Sequence, residues 1–271
     1  MRAVKIINKN YISNYTINKK ELLNEFEILQ KLVKSKGSSK YYKNIWFLWR
    51  SELYLYFHGD NLIRLLEGGN LVDRNIILQR PFNELEVRDI IKQVLAALAC
   101  CHSHKLSHRD IKLQNIMFKN CSENSTVKLI DFGSAKKIKK NEIKPLMGTI
   151  QFLAPEILEK KESNLKSDIY SVGVLLYYLI KGCFPFNANT IEEHTAQVLK
   201  HNFGYDKLPE LKGFSENGKA CLRRMLIIDV NQRPSAEELL KNPWFNTNVP
   251  TSQLNEADKT EIFMNLTKYK V

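Results

Sequence analysis

The run His108–Arg109–Asp110–Ile111–Lys112–Leu113–Gln114–Asn115, followed by Asp131–Phe132–Gly133 and then Ala154–Pro155–Glu156, decides how this sequence is read. The polar residues stand among short apolar segments. Leu106–Phe118 and Val127–Phe132 have the look of paired short strands around a loop. An Asp-Phe-Gly triplet alone is common by chance. The three runs in this order and at these separations are highly specific.

Working outward, Asn83 caps a predicted helix from Glu84 to about His104, with Val87, Ile90, Ile91, Val94, Leu95 and Leu98 on its apolar side. Another helix is predicted from Ser167 or Asp168 through Ile180, apolar nearly all round and therefore buried. Two shorter ones are expected near Ala220–Ile227 and Ser235–Leu240, ahead of Asn242–Pro243–Trp244–Phe245. Toward the start of the chain, Arg2–Asn8 reads as a strand. Lys19–Lys34 places Leu22, Leu23, Phe26, Leu29 and Leu32 at helical spacing. Residues 35–62 are dense in aromatics, enough for two strands, and Glu67–Gly68–Gly69 punctuates the chain before it turns helical. The pattern is a small strand-rich part followed by a larger helical one.

Composition narrows the class. The 271 residues are 44% hydrophobic and 26% charged, with a mean hydropathy of -0.33. That excludes a disordered chain, a collagen-like repeat and a disulfide scaffold. The longest uncharged, mostly apolar run, Ile169–Ile180, is too short to cross a bilayer, and Met1–Lys5 lacks the apolar stretch of a signal peptide. Five cysteines without CxxC or Cys/His spacing argue against a metal site and for reduced thiols, so an intracellular, cytoplasmic protein is expected. Forty-one basic against 29 acidic residues give +12, a balance that favours anionic partners or reflects a lysine-rich solvated exterior.

The three runs resemble the eukaryotic protein kinase family, and the resemblance covers Ala3 to Phe245. It is most similar to the calcium/calmodulin- and calcium-dependent serine/threonine kinases, on Ala3–Val4–Lys5–Ile6–Ile7–Asn8–Lys9, Glu67–Gly68–Gly69–Asn70–Leu71 and Cys101–His102–Ser103–His104. It implies an α+β, bilobal protein-kinase-like fold with an incomplete strand-rich N-terminal lobe and a mainly helical C-terminal lobe. The expected divisions are 1–63, 64–246 and a C-terminal extension, 247–271.

The resemblance also implies roles. Phosphoryl transfer needs placed phosphates and cancelled charge more than covalent chemistry. ATP and Mg²⁺ are the implied cofactors, with Asp131 and Asn115 as hard oxygen ligands for the metal. Asp110 would orient the substrate hydroxyl and take its proton, and Lys112 would neutralise the migrating group. Lys112 together with Thr149 is the serine/threonine pattern. Lys5 would grip the α and β phosphates, held by Glu25, with Glu27 the rival partner. Adenine would lie between Ala3 and Met117. Ile63 falls at the gatekeeper position, and Arg64 to Leu66 form the hinge. Glu67 would contact the ribose or a basic substrate residue. Glu156 and Arg233 are expected as a buried ion pair, and Asp168 as the cap of the buried helix and the holder of the catalytic loop. His108 and Phe132 are expected to pack rather than catalyse.

Some features depart from the family. No GxGxxG occurs, so the glycine-rich roof of the nucleotide cleft is missing. The expectation is a serine/threonine kinase truncated at its N-terminus, the alternative a catalytically impaired pseudokinase-like binding module. Gln114 replaces a usual glutamate, and Lys136, Lys137, Lys139, Lys140 and Lys144 crowd the segment after Asp131. Ile262, Phe263, Leu266 and Tyr269 share a helical face, which resembles the start of a junction helix, yet no EF-hand pattern follows. The implied partner is a protein with a Ser/Thr acceptor, with any upstream or C-terminal regulatory segment absent. No motif for sequence-specific nucleic acid is present.

Overall fold

The computed structural model describes residues 3–7, 57–58, 61–66, 68–138, 148–161, 164–186, 188, 190–200, 211, 213–246 and 255–268, the first three segments by their backbone. Strands β1 (Ala3–Ile7), β2 (Phe57–His58) and β3 (Asn61–Leu66) form an antiparallel sheet in the order β1-β3-β2. Its register sets Ala3 opposite Leu66, Lys5 opposite Arg64 and Ile6 opposite Ile63. The predicted helix over Lys19–Lys34, with Glu25, and the aromatic stretch up to Tyr56 lie outside the described residues, as does Glu67.

Helix α1 (Leu71–Leu78) follows at once. Asn70 accepts from the amides of Val72 and Asp73, and Asp73 returns a bond to the Asn70 amide at 3.0 Å, a reciprocal cap that satisfies otherwise orphaned donors. Asn83 caps α2 (Glu84–Ser103) as expected, and Glu86 makes that cap reciprocal too. Val87, Ile90, Ile91, Val94, Leu95 and Leu98 are all buried, as their spacing requires.

Strands β4 (Leu106–Ser107), β5 (Ile116–Phe118), β6 (Val127–Leu129) and β7 (Lys136–Lys137) divide the pairing expected of the two apolar segments. β5 pairs with β6, Ile116 opposite Leu129, whereas β4 pairs with β7, Leu106 opposite Lys137. The two lysines of β7 stay exposed while their backbone closes a ladder.

The larger part is helical: α3 (Pro155–Leu158), α4 (Ser167–Lys181), α5 (Ile191–Lys200), α6 (Glu216–Met225), α7 (Ala236–Leu239) and α8 (Glu256–Lys268). Helix α4 is the axis of the core. Ile169, Val172, Val174, Leu175, Leu176 and Leu179 are wholly buried, and it packs on α2 and α6. One expectation is corrected here: Asp168 does not cap α4, whose N-cap is Lys166 without a side-chain bond. The Asp168 carboxylate turns instead to the loop after β4, where more donors await it.

Helix α6 begins at Glu216, a turn earlier than expected, with the Ser215 hydroxyl accepting from the Gly218 amide. Glycine weakens a helix interior, but here the Phe214 ring lies where a Cβ on Gly218 would stand. Glu84, buried at the start of α2, accepts from the Ser215 amide at 2.9 Å and hydroxyl at 2.5 Å, and from Trp244 Nε1 at 2.9 Å. Three segments far apart in sequence are thereby tied to one carboxylate. Helix α8 buries Ile262 and Leu266 and packs against α1 and α4; Tyr178 donates its hydroxyl to the Asn265 carbonyl at 3.3 Å. Tyr269 lies outside the described residues. Among the described residues, no helix is long and apolar enough to cross a membrane.

Candidate active site

The loop from Ser107 to Asn115 is built on Asp168. Its carboxylate accepts from the amides of His108 and Arg109, each at 2.9 Å, and from the Ser107 hydroxyl at 3.1 Å. His102 Nε2 lies 2.9 Å from Asp168 Oδ2. Burial by itself raises the carboxyl pKa. The His102 bond and charge, with the Arg109 amide, outweigh it and hold Asp168 below the usual range. Arg109 can then sit at φ +68, a left-handed conformation costly for a side chain of its size, with Nε donating to the Ser134 carbonyl at 2.6 Å.

Asp110 emerges from this anchored backbone. Asn115 Nδ2 donates to its carbonyl at 2.8 Å and to Oδ2 at 3.0 Å, closing the loop on itself. Lys112 Nζ lies 2.7 Å from Oδ2, and the Thr149 hydroxyl is 3.3 Å from Oδ1. The Asp110 side chain keeps 12% of its surface and Lys112 keeps 25%, so both stay partly accessible to a reactant. The structure thus brings together Asp110, Lys112, Asn115 and Thr149. Gln114 Oε1 is buried and has no hydrogen-bond partner among the described residues.

Asp131 is attached to the same frame. The Ile130 amide donates to the Asn115 carbonyl at 2.9 Å, setting the residue before Asp131 against the loop that ends at Asn115. Asp131 is left-handed, at φ +61, and its Oδ1 accepts from the Gly133 amide at 3.4 Å. Phe132 is fully buried, edge-on to His108 with ring centroids 4.8 Å apart. His108 Nε2 lies 3.0 Å from the Ile130 carbonyl, which can only accept, so that nitrogen carries the proton. Burial lowers the His108 pKa, and the Asp110 amide approaches Nδ1 at 3.4 Å. Both ring nitrogens are turned to backbone, which fits packing rather than proton transfer.

Asn115 and Asp131 offer an amide oxygen and a carboxylate, the hard oxygen donors that suit Mg²⁺ and not thiophilic metals. Met117 is buried on β5 and bridges to Asn70, at the junction between β3 and α1. Ala3, Lys5, Ile63, Arg64 and Leu66 are placed by backbone register alone, on the paired strands β1 and β3. Beneath the cluster, Arg233 and Glu156 form the expected buried pair. Sequence reasoning missed His102 and Ser107 as partners of Asp168; they are separated from it by 66 and 61 residues, and no local pattern signals the contact.

The protein kinase domain family model matches residues 1–245. A calcium and calcium/calmodulin-dependent serine/threonine-protein kinase from Oryza sativa subsp. japonica is 32% identical over 239 residues, covering 88% of this chain and 45% of the relative. Calcium-dependent protein kinase 5 of Plasmodium falciparum is 32% identical over 277 residues, covering 99% of this chain and 46% of the relative. Calcium-dependent protein kinase 6 of Plasmodium berghei is 38% identical over 188 residues, covering 68% of this chain and 12% of the relative. The chain therefore spans less than half the length of each of these relatives.

Proposed function

This chain belongs to the protein kinase domain family, and from that premise we propose that it transfers the γ-phosphoryl group of ATP to serine or threonine hydroxyls of a protein substrate. The single observation that most supports this reading is the set of contacts on Asp110. A hydroxyl, that of Thr149, already lies 3.3 Å from one carboxylate oxygen, while Lys112 Nζ lies 2.7 Å from the other. A substrate hydroxyl in a similar place would give its proton to Asp110 as its oxygen attacks phosphorus, and ADP would leave. Lys112 would offset the negative charge of the phosphoryl oxygens.

Asn115 and Asp131 would hold the divalent ion, which when bound draws charge from the phosphates. Asn115 has a second duty, since its amide nitrogen fixes the Asp110 carboxylate. Lys5 would hold the α and β phosphates with Glu25; Ala3, Ile63, Arg64, Leu66, Glu67 and Met117 would surround the nucleoside. Thr149 would favour Ser/Thr acceptors by completing the Asp110–Lys112 group. Cys100, Cys101 and Cys221 are buried, and reduced thiols would suit a cytoplasmic setting.

The test is transfer of labelled phosphate from ATP to a mixed-sequence serine/threonine peptide pool by the chain and by Asp110→Asn. Loss of a general base costs about 10²–10⁴-fold, so turnover should fall by that order while nucleotide binding persists. Near-normal turnover in the variant overturns the role of Asp110. No transfer by the unaltered chain, with nucleotide bound, overturns the activity.

A further inference from the structure

The loop that carries Asp110 leaves one polar side chain outside its network. Ser107 donates to Asp168 at 3.1 Å, His108 Nε2 meets the Ile130 carbonyl at 3.0 Å, and Arg109 Nε donates to the Ser134 carbonyl at 2.6 Å. Asp110 is held by Lys112 at 2.7 Å and by Asn115 at 3.0 Å. Gln114 Oε1 is buried and has no hydrogen-bond partner among the described residues. A buried acceptor left without a donor is costly, so its position calls for a physical reason.

Gln114 can meet a ligand where other such atoms cannot. Asn75 Oδ1 and His194 Nε2 also lack partners among the described residues, but those residues are 0% and 3% exposed. Gln114 lies in the single helical turn Leu113–Asn115, where Leu113 and Asn115 are buried and Gln114 alone reaches the surface. Its neighbour Asn115 bonds the Asp110 carboxylate directly, so Gln114 stands one residue away from a contact with the reacting centre. The terminal torsion of a glutamine is broad and roughly two-fold. The amide can therefore turn its oxygen outward without moving the backbone.

Charge decides which group satisfies that oxygen. The loop carries Arg109 and Lys112 against one carboxylate, Asp110, which Lys112 already meets. Helix α1 packs against the turn, and its carboxylate, Asp73, accepts from the Asn70 amide at 3.0 Å. A cationic side chain could donate to Oε1 but would then stand beside two cations. An anionic one could take the amide hydrogens but leaves the oxygen as it was. An apolar one removes water and gives nothing back. A second amide satisfies both ends, because each amide group carries a donor and an acceptor.

We propose that Gln114 is a specificity-determining residue, selecting protein substrates with an asparagine or glutamine side chain within a few residues of the phosphoacceptor, through paired amide–amide hydrogen bonds. The inference rests on the phosphoryl-transfer reading of Asp110. It adds to that reading a preference for a neutral, amide-bearing acceptor segment.

The experiment uses the full chain and an alanine- and glycine-based decapeptide with a central serine. Glutamine, arginine, glutamate or leucine is placed in turn at each other position, and kcat/KM is measured. A fluorescein-labelled set with alanine in place of the serine gives affinities by anisotropy, without catalysis. At one position glutamine should exceed leucine about threefold to tenfold in both readouts, the range of one or two neutral hydrogen bonds, while arginine and glutamate should not. Gln114→Met, similar in length but without the amide, should abolish that advantage. Gln114→Glu should let arginine overtake glutamine at the same position, because a guanidinium pairs with a carboxylate through two bonds. Should Gln114→Met melt early, the glutamate variant decides alone. The proposal is overturned if no position favours glutamine, if arginine is favoured in the unaltered chain, or if the advantage survives in the variants. An equal loss for every peptide in Gln114→Met also overturns it, since that reports a main-chain contact or a damaged loop. Transfer without a glutamine advantage removes the role of Gln114 and leaves the activity standing. Binding of glutamine peptides through Gln114 without transfer supports the recognition and overturns the activity.

Discussion

Arg233 grips Glu156 through two parallel bonds, Nη1 to Oε1 at 2.8 Å and Nη2 to Oε2 at 3.0 Å, with the side chains 0% and 5% exposed. The remaining guanidinium hydrogens go to the carbonyls of Ile227, Ile228 and Lys166, and the Ser167 hydroxyl donates to Glu156 Oε1 at 2.6 Å. The guanidinium carbon also lies 5.1 Å from the Tyr170 ring centroid. The segment ending at Glu156 is thus pinned to the loop before α7 by a fully bonded pair.

Breaking such a pair from one side leaves a buried charge without its partner and costs about 3–5 kcal/mol. Arg233→Met and Glu156→Leu should each lose that much in denaturant unfolding. The double variant should lose clearly less than their sum, because neither orphan charge remains. Additive losses would show that the two side chains do not act as a pair.

Gly148 stands at φ +106, and a Cβ there would come 2.6 Å from the Arg109 carbonyl oxygen. Gly148→Ala therefore strains the backbone and pushes on the loop that carries Asp110. A displacement of about 1 Å can cost on the order of a hundredfold in rate. Peptide phosphorylation should fall far more than thermal stability in this variant. A fall in melting temperature with turnover intact would contradict the coupling of Gly148 to the loop.

His194 on α5 is 3% exposed, edge-on to Phe186 with centroids 6.0 Å apart, and its Nε2 has no hydrogen-bond partner among the described residues. Burial lowers its pKa below the usual 6.5. The unfolded chain therefore takes up a proton at a pH where the folded chain does not. The stability contributed by a neutral His194 is fully present above about pH 6.5 and declines as the pH falls through that value. One such group gives a slope of at most about 1.4 kcal/mol per pH unit. Melting measured from pH 8 to pH 5 should show a shallower acid-side decline in His194→Leu than in the unaltered chain. Parallel curves would remove His194 as a source of that decline.

What the sequence makes legible is local. Asn83, and the apolar residues of α2 and α4, carry their signals within a turn or two, and the structure follows them. The order of the three polar runs is also a sequence property, and the family resemblance it carries is what groups Asp110, Lys112, Asn115 and Thr149. What escapes is long-range or counter to propensity. Gly218 hides the first turn of α6 because its value lies in the space it leaves for Phe214. Lys136–Lys137 looks like a solvated loop, and only its backbone partner, Leu106–Ser107, makes it a strand. Asp168 holds the loop as the sequence leads one to expect, but the cap on α4 expected beside it does not form, since the amides of His108 and Arg109 claim the carboxylate from across the core.

The left-handed backbone of Asp131 allows its charge and its geometry to be tested apart. At φ +61 a β-carbon is tolerated best in asparagine and aspartate, whose short polar groups bond locally. Asp131→Asn therefore keeps the turn and its contact with the Gly133 amide but removes the carboxylate proposed to hold the metal. The Mg²⁺ concentration for half-maximal phosphorylation should rise by at least about 10–100-fold, the range typical of lost metal-site support, with the melting temperature of the metal-free chain nearly unchanged. Asp131→Ala should show the same metal defect plus a lower melting temperature, because alanine accepts the left-handed turn less readily. The decisive comparison is the asparagine variant with Mg²⁺ titrated. If its half-maximal concentration matches that of the unaltered chain, Asp131 is not a metal ligand, whatever the alanine variant does.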